Sequence, residues 1–155
     1  GQDGDSYAMD SLIHFFKQHP IAVNVASYTG HSSLREKIMG EKNLFRNSTI
    51  AEIDQMKMLL EEDLKKGSLG LSTGLEYEAA FYSSKEEVVA LAQLAAKYKG
   101  RYISHIRSED IKLKDAIEEI IDIGKITGMP VKLSHIKIAN KYDWGNAPFI
   151  IDQKE

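Results

Sequence analysis

Apolar residues recur along this chain at two spacings, and segments with one spacing alternate with segments of the other. Apolar positions three or four residues apart predict amphipathic helices, and this spacing occupies residues 7–18, 49–67, 84–100 and 113–128. Short aliphatic runs predict strands, and these occupy residues 21–27, 69–73, 101–106 and 131–136. The pattern predicts an α/β fold in which about four strands alternate with helices.

Two of the predicted helices begin with capping signals. Thr49 with Glu52, and Ser84 with Glu87, match the capping box. In this motif a hydroxyl and a carboxylate three residues apart each accept a hydrogen bond from the other residue's backbone N–H. Gly67 stands where the first of these helices is expected to end, since glycine readily adopts the left-handed conformation of a helix C-cap.

A long polar stretch from Tyr28 to Ser48 lacks a clear apolar period. Loops longer than about 15 residues in a compact domain are usually functional or mobile. Because this stretch contains Gly30, His31 and Arg35, we interpret it as a loop and as a candidate active-site lid. Residues 140–148 are predicted to form a second loop.

The alternation of helix and strand, without a hairpin signal, predicts parallel strands joined by right-handed crossovers. Periodicity alone leaves open a doubly wound sheet or a barrel. Candidate functional residues follow successive strands, and side chains at the carboxyl ends of the strands build the site of a (β/α)8 barrel. We therefore expect residues 1–155 to be one domain or part of one, namely half of a TIM barrel cut from a longer protein.

Composition excludes several other classes. The 155 residues are 43% hydrophobic, and 20 basic and 23 acidic residues give a net charge of −3. This balance argues against nucleic acid or an anionic membrane surface as the partner. The chain has no cysteine, which excludes disulfides and thiolate zinc sites within it and suits a cytoplasmic protein. It also has no apolar run long enough to predict a membrane span.

Two Ser-His pairs are the main chemical signal. Ser104-His105 and Ser134-His135 each close a predicted strand, thirty residues apart, with one predicted helix between them. Neighbouring parallel strands lie about 5 Å apart, so both imidazoles could reach one metal ion. In the alternative interpretation each histidine is a structural residue hydrogen-bonded at a strand end, and the chain is a non-catalytic α/β module.

The remaining histidines do not complete a metal site by themselves. A catalytic zinc ion needs about three protein ligands and a water molecule. We interpret His14 and His19 as structural or solvated residues of the first helix. His31 either faces the site or holds the backbone of its own loop.

Other polar residues follow the same strands. Lys137 lies two residues beyond the second histidine and Arg107 two beyond the first, so either could bind a carboxylate or be solvated. Tyr77 could donate its hydroxyl to the same ligand or simply cover the core. Glu109 and Asp110 precede a predicted helix, where we expect them to cap it or to interact with its dipole.

Several motifs in order resemble the N-acyl-D-amino acid deacylases (D-aminoacylases) of the amidohydrolase superfamily. The match covers nearly the whole chain and comprises Asn24-Val-Ala-Ser27, Gly30-His31, Leu34-Arg35, Gly70-Leu-Ser-Thr-Gly-Leu-Glu-Tyr77, Ser104-His-Ile-Arg-Ser-Glu109, Ser134-His-Ile-Lys137 and Trp144-Gly145.

The resemblance implies a metal-dependent barrel in which His105 and His135, ending the fifth and sixth strands, coordinate Zn²⁺. It also implies that Tyr77 and Lys137 hold the carboxylate of an N-acyl-D-amino acid while its amide is hydrolysed. The complete family pattern adds a His-x-His pair, a cysteine or carboxylate ligand and a catalytic aspartate, all of which we expect outside this chain. Residues 78–80 read Glu-Ala-Ala where relatives tend to have a proline, so substrate preference is open.

Three further expectations follow. The isolated chain should be inactive because it lacks the expected aspartate. It should associate with itself because four strands leave two open sheet edges. Another amidohydrolase activity, of the dihydroorotase or hydantoinase kind, is the alternative within enzymes. The acyl group, the preferred side chain, the number of metal ions and the native oligomer are not determined by these residues.

Overall fold

A computed structural model describes residues 3–152 of the chain. Its parallel sheet consists of four strands in the order β1-β2-β3-β4. They are β1 Thr29–Gly30, β2 Gly70–Gly74, β3 Arg101–His105 and β4 Val131–Leu133. The helices are α1 Met9–Gln18, α2 His31–Met39, α3 Ile50–Lys65, α4 Glu78–Phe81, α5 Lys85–Lys97, α6 Leu113–Thr127 and α7 Ala147–Asp152.

Successive strands are neighbours and run in parallel, so each connection returns to the start of the next strand. Thr73 pairs with Ser104, and Ser104 pairs with Leu133. This register places the carboxyl ends of β2, β3 and β4 at one edge of the sheet. The predicted α/β architecture with parallel strands is confirmed.

The core lies between one face of the sheet and helices α3, α5 and α6. Sheet residues Leu71 and Tyr102 pack there against apolar helix residues, among them Met56, Leu60, Leu91 and Ile120, all with side chains at most 2% exposed. The apolar faces that the residue spacing predicted for these helices and strands are thus the faces that are buried.

The close approach of β2 to β3 depends on a glycine. Gly70 has φ +139°, and a Cβ atom there would lie 2.0 Å from the Arg101 carbonyl oxygen. An alanine at this position would therefore push the two strands apart at the start of their pairing.

The strand predicted for residues 21–27 is wrong. Only Thr29 and Gly30 pair with β2, and Ile21, Val23 and Val25 are 47 to 70% exposed. In the same register, residues 21–26 would lie opposite residues 63–68, which belong to the end of α3 and the following turn. No ladder is available there, so aliphatic residues alone do not make a strand.

The long loop predicted for residues 28–48 is also wrong, because α2 lies within it. Its inward face is largely polar, with His31, Ser32 and Arg35 buried beside Leu34 and Met39. An apolar period cannot reveal a helix that buries an imidazole and a guanidinium. The segment is therefore packed structure and not a lid.

The helix ends agree better with their sequence signals. Thr49 and Glu52 form the complete capping box, and Gly128 ends α6 in the left-handed conformation. At Ser84 only half of the box forms: its hydroxyl accepts from the Glu87 backbone N–H, but the Glu87 carboxylate points elsewhere. The loop predicted for residues 140–148 instead contains a 3₁₀ helix, Lys141–Asn146, and the start of α7.

No helix within residues 3–152 combines the length and the apolar character that crossing a membrane requires.

Candidate metal centre at the carboxyl edge of the sheet

The two histidines of the Ser-His pairs meet beyond β3 and β4. His105 is the last residue of β3, and His135 follows the end of β4 with φ +21°. The distance from His105 Nδ1 to His135 Nε2 is 3.1 Å, and the ring centroids are 4.7 Å apart. The structure therefore directs one nitrogen of each imidazole into a common space.

Three carboxylates surround this pair. Glu76 Oε2 lies 2.8 Å from His105 Nε2, and Glu109 Oε1 lies 3.3 Å from His135 Nδ1. Asp3 Oδ2 lies 3.2 Å from His135 Nε2. The charge and hydrogen bond of Asp3 outweigh partial burial and raise the pKa of His135 above its ordinary value.

The donor set matches the preferences of zinc. In the part of the chain that the structure describes, two groups each bring three ligand atoms within 4.8 Å of one another. They are Asp3 with His105 and His135, and Glu76 with His105 and Glu109. Imidazole nitrogen and carboxylate oxygen are common zinc ligands, so these residues could hold the ion.

Lys137 and Tyr77 flank the histidines. Lys137 Nζ lies 2.6 Å from Glu109 Oε2 and 3.3 Å from His135 Nδ1. The Tyr77 hydroxyl lies 3.1 Å from His105 Nδ1, and its ring packs on that imidazole. The four residues to which the family resemblance assigns metal and substrate binding are thus brought to one place.

The ionisation of the two flanking groups suits binding of an anion. The hydrogen bond with Glu109 raises the pKa of Lys137, which keeps its ammonium charged. Partial burial, followed by the charge of Asp3, raises the pKa of Tyr77, so its hydroxyl keeps the proton that it can donate.

Glu109 does not cap a helix, contrary to expectation. Its carboxylate is 7% exposed and contacts Lys137 and His135. Asp110 serves the local turn instead, since its Oδ1 accepts from the Ile111 backbone N–H at 2.6 Å. The sequence signal for Glu109 was a carboxylate four residues after a histidine that ends a strand. Sequence alone allows such a residue either to cap the next helix or to join the site.

Asp3 was missed because its neighbours come from distant parts of the chain. The segment that carries it crosses the ends of β1 and β2, where Gly30 N–H donates to Ser6 Oγ at 2.7 Å. A Cβ atom at Gly74 would lie 2.1 Å from the Asp3 carbonyl oxygen. Only glycine permits that approach, and no local pattern predicts it.

Two other sequence candidates lie outside the site. Arg107 donates from Nε and Nη2 to Glu119, each at 2.9 Å, so its guanidinium is already paired. His31 is fully buried, 2.7 Å from Glu87. It neither faces the site nor holds the backbone of its own segment, and both interpretations of it were wrong.

The remaining histidines behave as predicted. His14 is exposed on α1, and His19 Nδ1 lies 3.1 Å from the Phe15 carbonyl oxygen at the exposed end of that helix.

Comparison with known proteins identifies relatives of this arrangement. No protein-family model matches the chain. The D-aminoacylase of Alcaligenes xylosoxydans xylosoxydans is 32% identical over 148 residues, which are 94% of this chain and 30% of the relative. An N-acyl-D-glutamate deacylase of the same organism is 31% identical over 148 residues, again 30% of its length. The chain thus spans less than a third of the curated relatives it matches.

Solved structures show the same relationship. The crystal structure of a D-aminoacylase, which defines a novel subset of amidohydrolases, has a TM-score of 0.87 and 32% identity; the match covers 93% of this chain and 30% of that one. The N-acyl-D-glutamate deacylase of Bordetella bronchiseptica was solved with zinc and a phosphonate mimic of the tetrahedral intermediate. It has a TM-score of 0.85 at 30% identity, covering 91% of this chain and 29% of that one.

Proposed function

We propose that this chain, a homologue of the N-acyl-D-amino acid deacylases, contributes zinc ligands and carboxylate-binding residues to an enzyme that hydrolyses N-acyl-D-amino acids. One observation carries the proposal: His105 Nδ1 and His135 Nε2 lie 3.1 Å apart, with Tyr77 and Lys137 on either side. Histidines with a purely structural role would not need two imidazole nitrogens that face each other with three carboxylates close by.

His105 and His135 would hold Zn²⁺, with Asp3 close enough to add a carboxylate oxygen. When bound, the ion would polarise the amide carbonyl and lower the pKa of a water molecule toward neutrality. Two of the donors come from the ends of adjacent strands, which hold them rigidly. The residues present therefore suit the metal that the relatives suggest.

Lys137 and Tyr77 would bind the carboxylate of the substrate. An ammonium group has three donors, and Glu109 Oε2 takes one of them at 2.6 Å. His135 Nδ1 lies 3.3 Å from the ammonium, and the Lys137 side chain is 54% exposed, so the remaining N–H group can reach a ligand. The protonated Tyr77 hydroxyl, above the His105 ring, would supply a second hydrogen bond and orient the acyl amide toward the histidines.

The direct test uses the complete protein and its His105→Ala and His135→Ala variants. We expect zinc-dependent hydrolysis of N-acetyl-D-amino acids by the wild type, and loss of both bound zinc and activity in each variant. Unchanged zinc content in the variants would support the non-catalytic module. Turnover of dihydroorotate or hydantoins, with none of the acylated amino acids, would support the alternative amidohydrolase.

The isolated 155-residue chain should show no turnover. The catalytic aspartate that the family resemblance implies is expected on another strand, so proton transfer to the leaving amine would lack its carrier. Zinc-dependent hydrolysis of an N-acetyl-D-amino acid by residues 1–155 would contradict this proposal.

The isolated chain should also associate with itself. Strand β4 is only partly buried, and Ile117, Ile121 and Ile136 line an open apolar groove of about 320 Å³ beside it. Pairing of the open edges would cover this surface. Light scattering should show a molecular mass that rises with concentration, and a monomer at every concentration would contradict the expectation.

We further propose a small molecule as the partner, in preference to nucleic acid or a membrane, because acidic and basic residues are nearly balanced. The absence of cysteine supports a cytoplasmic location. Cell fractionation with an antibody to the protein tests the location.

A further inference from the structure

His105 is held on both of its ring nitrogens by different partners. Nδ1 lies 3.1 Å from His135 Nε2 and 3.1 Å from the Tyr77 hydroxyl oxygen. Nε2, on the other side of the ring, lies 2.8 Å from Glu76 Oε2. The side chain of His105 is only 4% exposed, so these partners, and not bulk water, decide which nitrogen carries the proton.

We propose that Glu76 is a positioning residue that keeps the proton of His105 on Nε2 and so leaves Nδ1 unprotonated, with a lone pair that can bind the metal ion. This inference rests on the proposed metal centre. An ionised carboxylate only accepts hydrogen bonds, so the Nε2–H tautomer satisfies Glu76. The Nδ1–H tautomer would leave Glu76 without a donor and would direct a proton toward His135 Nε2 and the Tyr77 hydroxyl oxygen, where the metal ion is proposed to bind.

Glu76 has little competition for this role. Glu109 Oε2 is 4.0 Å from His105 Nε2, beyond hydrogen-bond distance, and 2.6 Å from Lys137 Nζ. Among the carboxylates of residues 3–152, Glu76 is therefore the one that hydrogen-bonds this nitrogen. Carboxylates that bind the outer nitrogen of a metal-ligating histidine fix its tautomer and orientation.

The backbone holds Glu76 in place. It lies in the turn between β2 and α4, and the preceding residue, Leu75, donates its N–H to the His105 carbonyl oxygen at 3.0 Å. The same turn places Tyr77 against the His105 ring. One short segment thus provides both the partner that orients the proposed metal ligand and the hydroxyl proposed to bind substrate.

The first measurement is the ring ¹⁵N spectrum of His105 in the metal-free complete protein, assigned by comparison with a His105→Gln variant. We expect the Nε2–H tautomer in the wild type and a shift toward Nδ1–H in Glu76→Ala. Glu76→Gln should largely restore the wild-type spectrum, because its amide oxygen can still accept from Nε2. A wild-type Nδ1–H tautomer, or one unchanged in Glu76→Ala, would overturn the proposal.

The second measurement is zinc affinity by competition with a chelator. Loss of such a carboxylate partner typically weakens metal binding about 10- to 100-fold, so we expect this for Glu76→Ala and a smaller loss for Glu76→Gln. Glu78→Ala, an exposed neighbour in α4, is the matched control and should bind zinc like the wild type. Equal zinc affinities in Glu76→Ala and wild type would overturn the proposal.

The results separate this inference from the proposed function. If the wild type binds no zinc, the proposed function fails, whatever the tautomer of His105. If zinc binding and deacylation are intact in both the wild type and Glu76→Ala, only the role of Glu76 fails. If Glu76→Gln loses as much zinc affinity as Glu76→Ala and X-ray absorption shows one oxygen ligand fewer, Glu76 is a ligand and the positioning role is overturned.

Discussion

Two regions of this molecule use the same residue types in opposite ways. The buried triad, formed by His31, Arg35 and Glu87, lies between α2 and α5, and all three side chains are 0% exposed. The edge cluster contains His105 and His135 with their carboxylates and Lys137, and it opens to solvent: the side chain of His135 is 40% exposed. Both regions place an imidazole within 2.8 Å of a glutamate oxygen.

The difference lies in the balance of charge. In the buried triad one carboxylate faces one guanidinium and one imidazole, and Arg35 Nη1 lies within 2.8 Å of both Glu87 oxygens. The remaining guanidinium donors bind the carbonyl oxygens of Leu44, Arg46 and Ala79. This group needs no ligand, and it ties the segment after α2 and the helix after Tyr77 to the core.

In the edge cluster, three carboxylates face two imidazoles and one ammonium, and two imidazole nitrogens face each other. An excess of carboxylates around converging imidazole nitrogens suits the binding of a cation such as a metal ion. The two clusters differ in burial and in the balance of charge, and not in the presence of histidine and glutamate.

The largest effect, on the free energy of unfolding, is expected from removing the carboxylate of the buried triad. Glu87→Ala leaves the Arg35 guanidinium buried without its counter-ion, and breaking such a pair costs about 3–5 kcal/mol of unfolding free energy. Urea denaturation of the complete protein measures this loss. Glu86→Ala, one residue away and exposed on the same helix, is the control. Equal losses in the two variants would mean that the buried triad is not a stabilising unit.

The free energy of unfolding should also depend on pH through the carboxyl group of Glu87 in the buried triad. Burial alone would raise the pKa of Glu87, but the hydrogen bonds and charges of His31 and Arg35 lower it to about 2 from the ordinary 4.5. A depressed carboxyl pKa stabilises the fold above pH 4.5, and this contribution is lost as the pH falls toward about 2.

Wild type should therefore lose stability relative to Glu87→Gln across that window, by up to about 1.4 kcal/mol per pH unit. Denaturation curves at several pH values measure the difference between the two proteins. A constant difference from pH 6 to pH 2 would show that the Glu87 pKa is not depressed.

A smaller effect, on catalysis instead of stability, is expected at the edge cluster. Lys137→Met removes a charged donor proposed to bind the substrate carboxylate, and such a hydrogen bond contributes about 1.5–3 kcal/mol. We expect kcat/KM for N-acetyl-D-amino acids to fall about 10- to 150-fold. Lys125→Met, in the last turn of α6, should change it little. Comparable losses in both variants would remove Lys137 from the substrate site.

The smallest effect is expected at Arg107, the other cation that follows a strand. Because Nε and Nη2 of its guanidinium donate to Glu119 and Nη1 donates to the Phe81 carbonyl oxygen, Arg107→Met should leave kcat/KM within about threefold, or about 0.7 kcal/mol. Steady-state kinetics alongside Lys137→Met makes the comparison. A fall as large as that of Lys137→Met would show that Arg107 exchanges Glu119 for the substrate.

The sequence predicted elements best where local forces decide them. Helices α3 and α6 combine an apolar stripe with a defined end, and both form near the predicted bounds. The prediction failed for the aliphatic run of residues 21–27, because a strand also needs a neighbouring strand at the right register. The prediction failed for α2 because that helix buries His31 and Arg35, whose ionic partner Glu87 lies in α5, far away in the sequence.

For the candidate site, the repeated Ser-His dipeptide at the ends of two parallel strands was sufficient to predict that His105 and His135 meet, because register and strand spacing follow from the crossover. Spacing could not assign the carboxylates. Glu87 matched a capping box but pairs with α2, and Glu109 matched a helix start but faces Lys137. The partner of a carboxylate depends on which residue, distant in the sequence, folding places beside it.

By itself, therefore, the sequence determined the parallel α/β order and the two histidines at the centre of the site, since both arise from short-range periodicity and chain connectivity. Only the tertiary structure decided which charged groups are buried and paired with each other and which remain accessible to solvent and to a ligand. Asp3 reaches His135 across 132 positions of sequence, and Glu76 and Glu109 reach the histidines from separate loops. Electrostatic pairing acts through space, so its outcome is set only when the chain has folded.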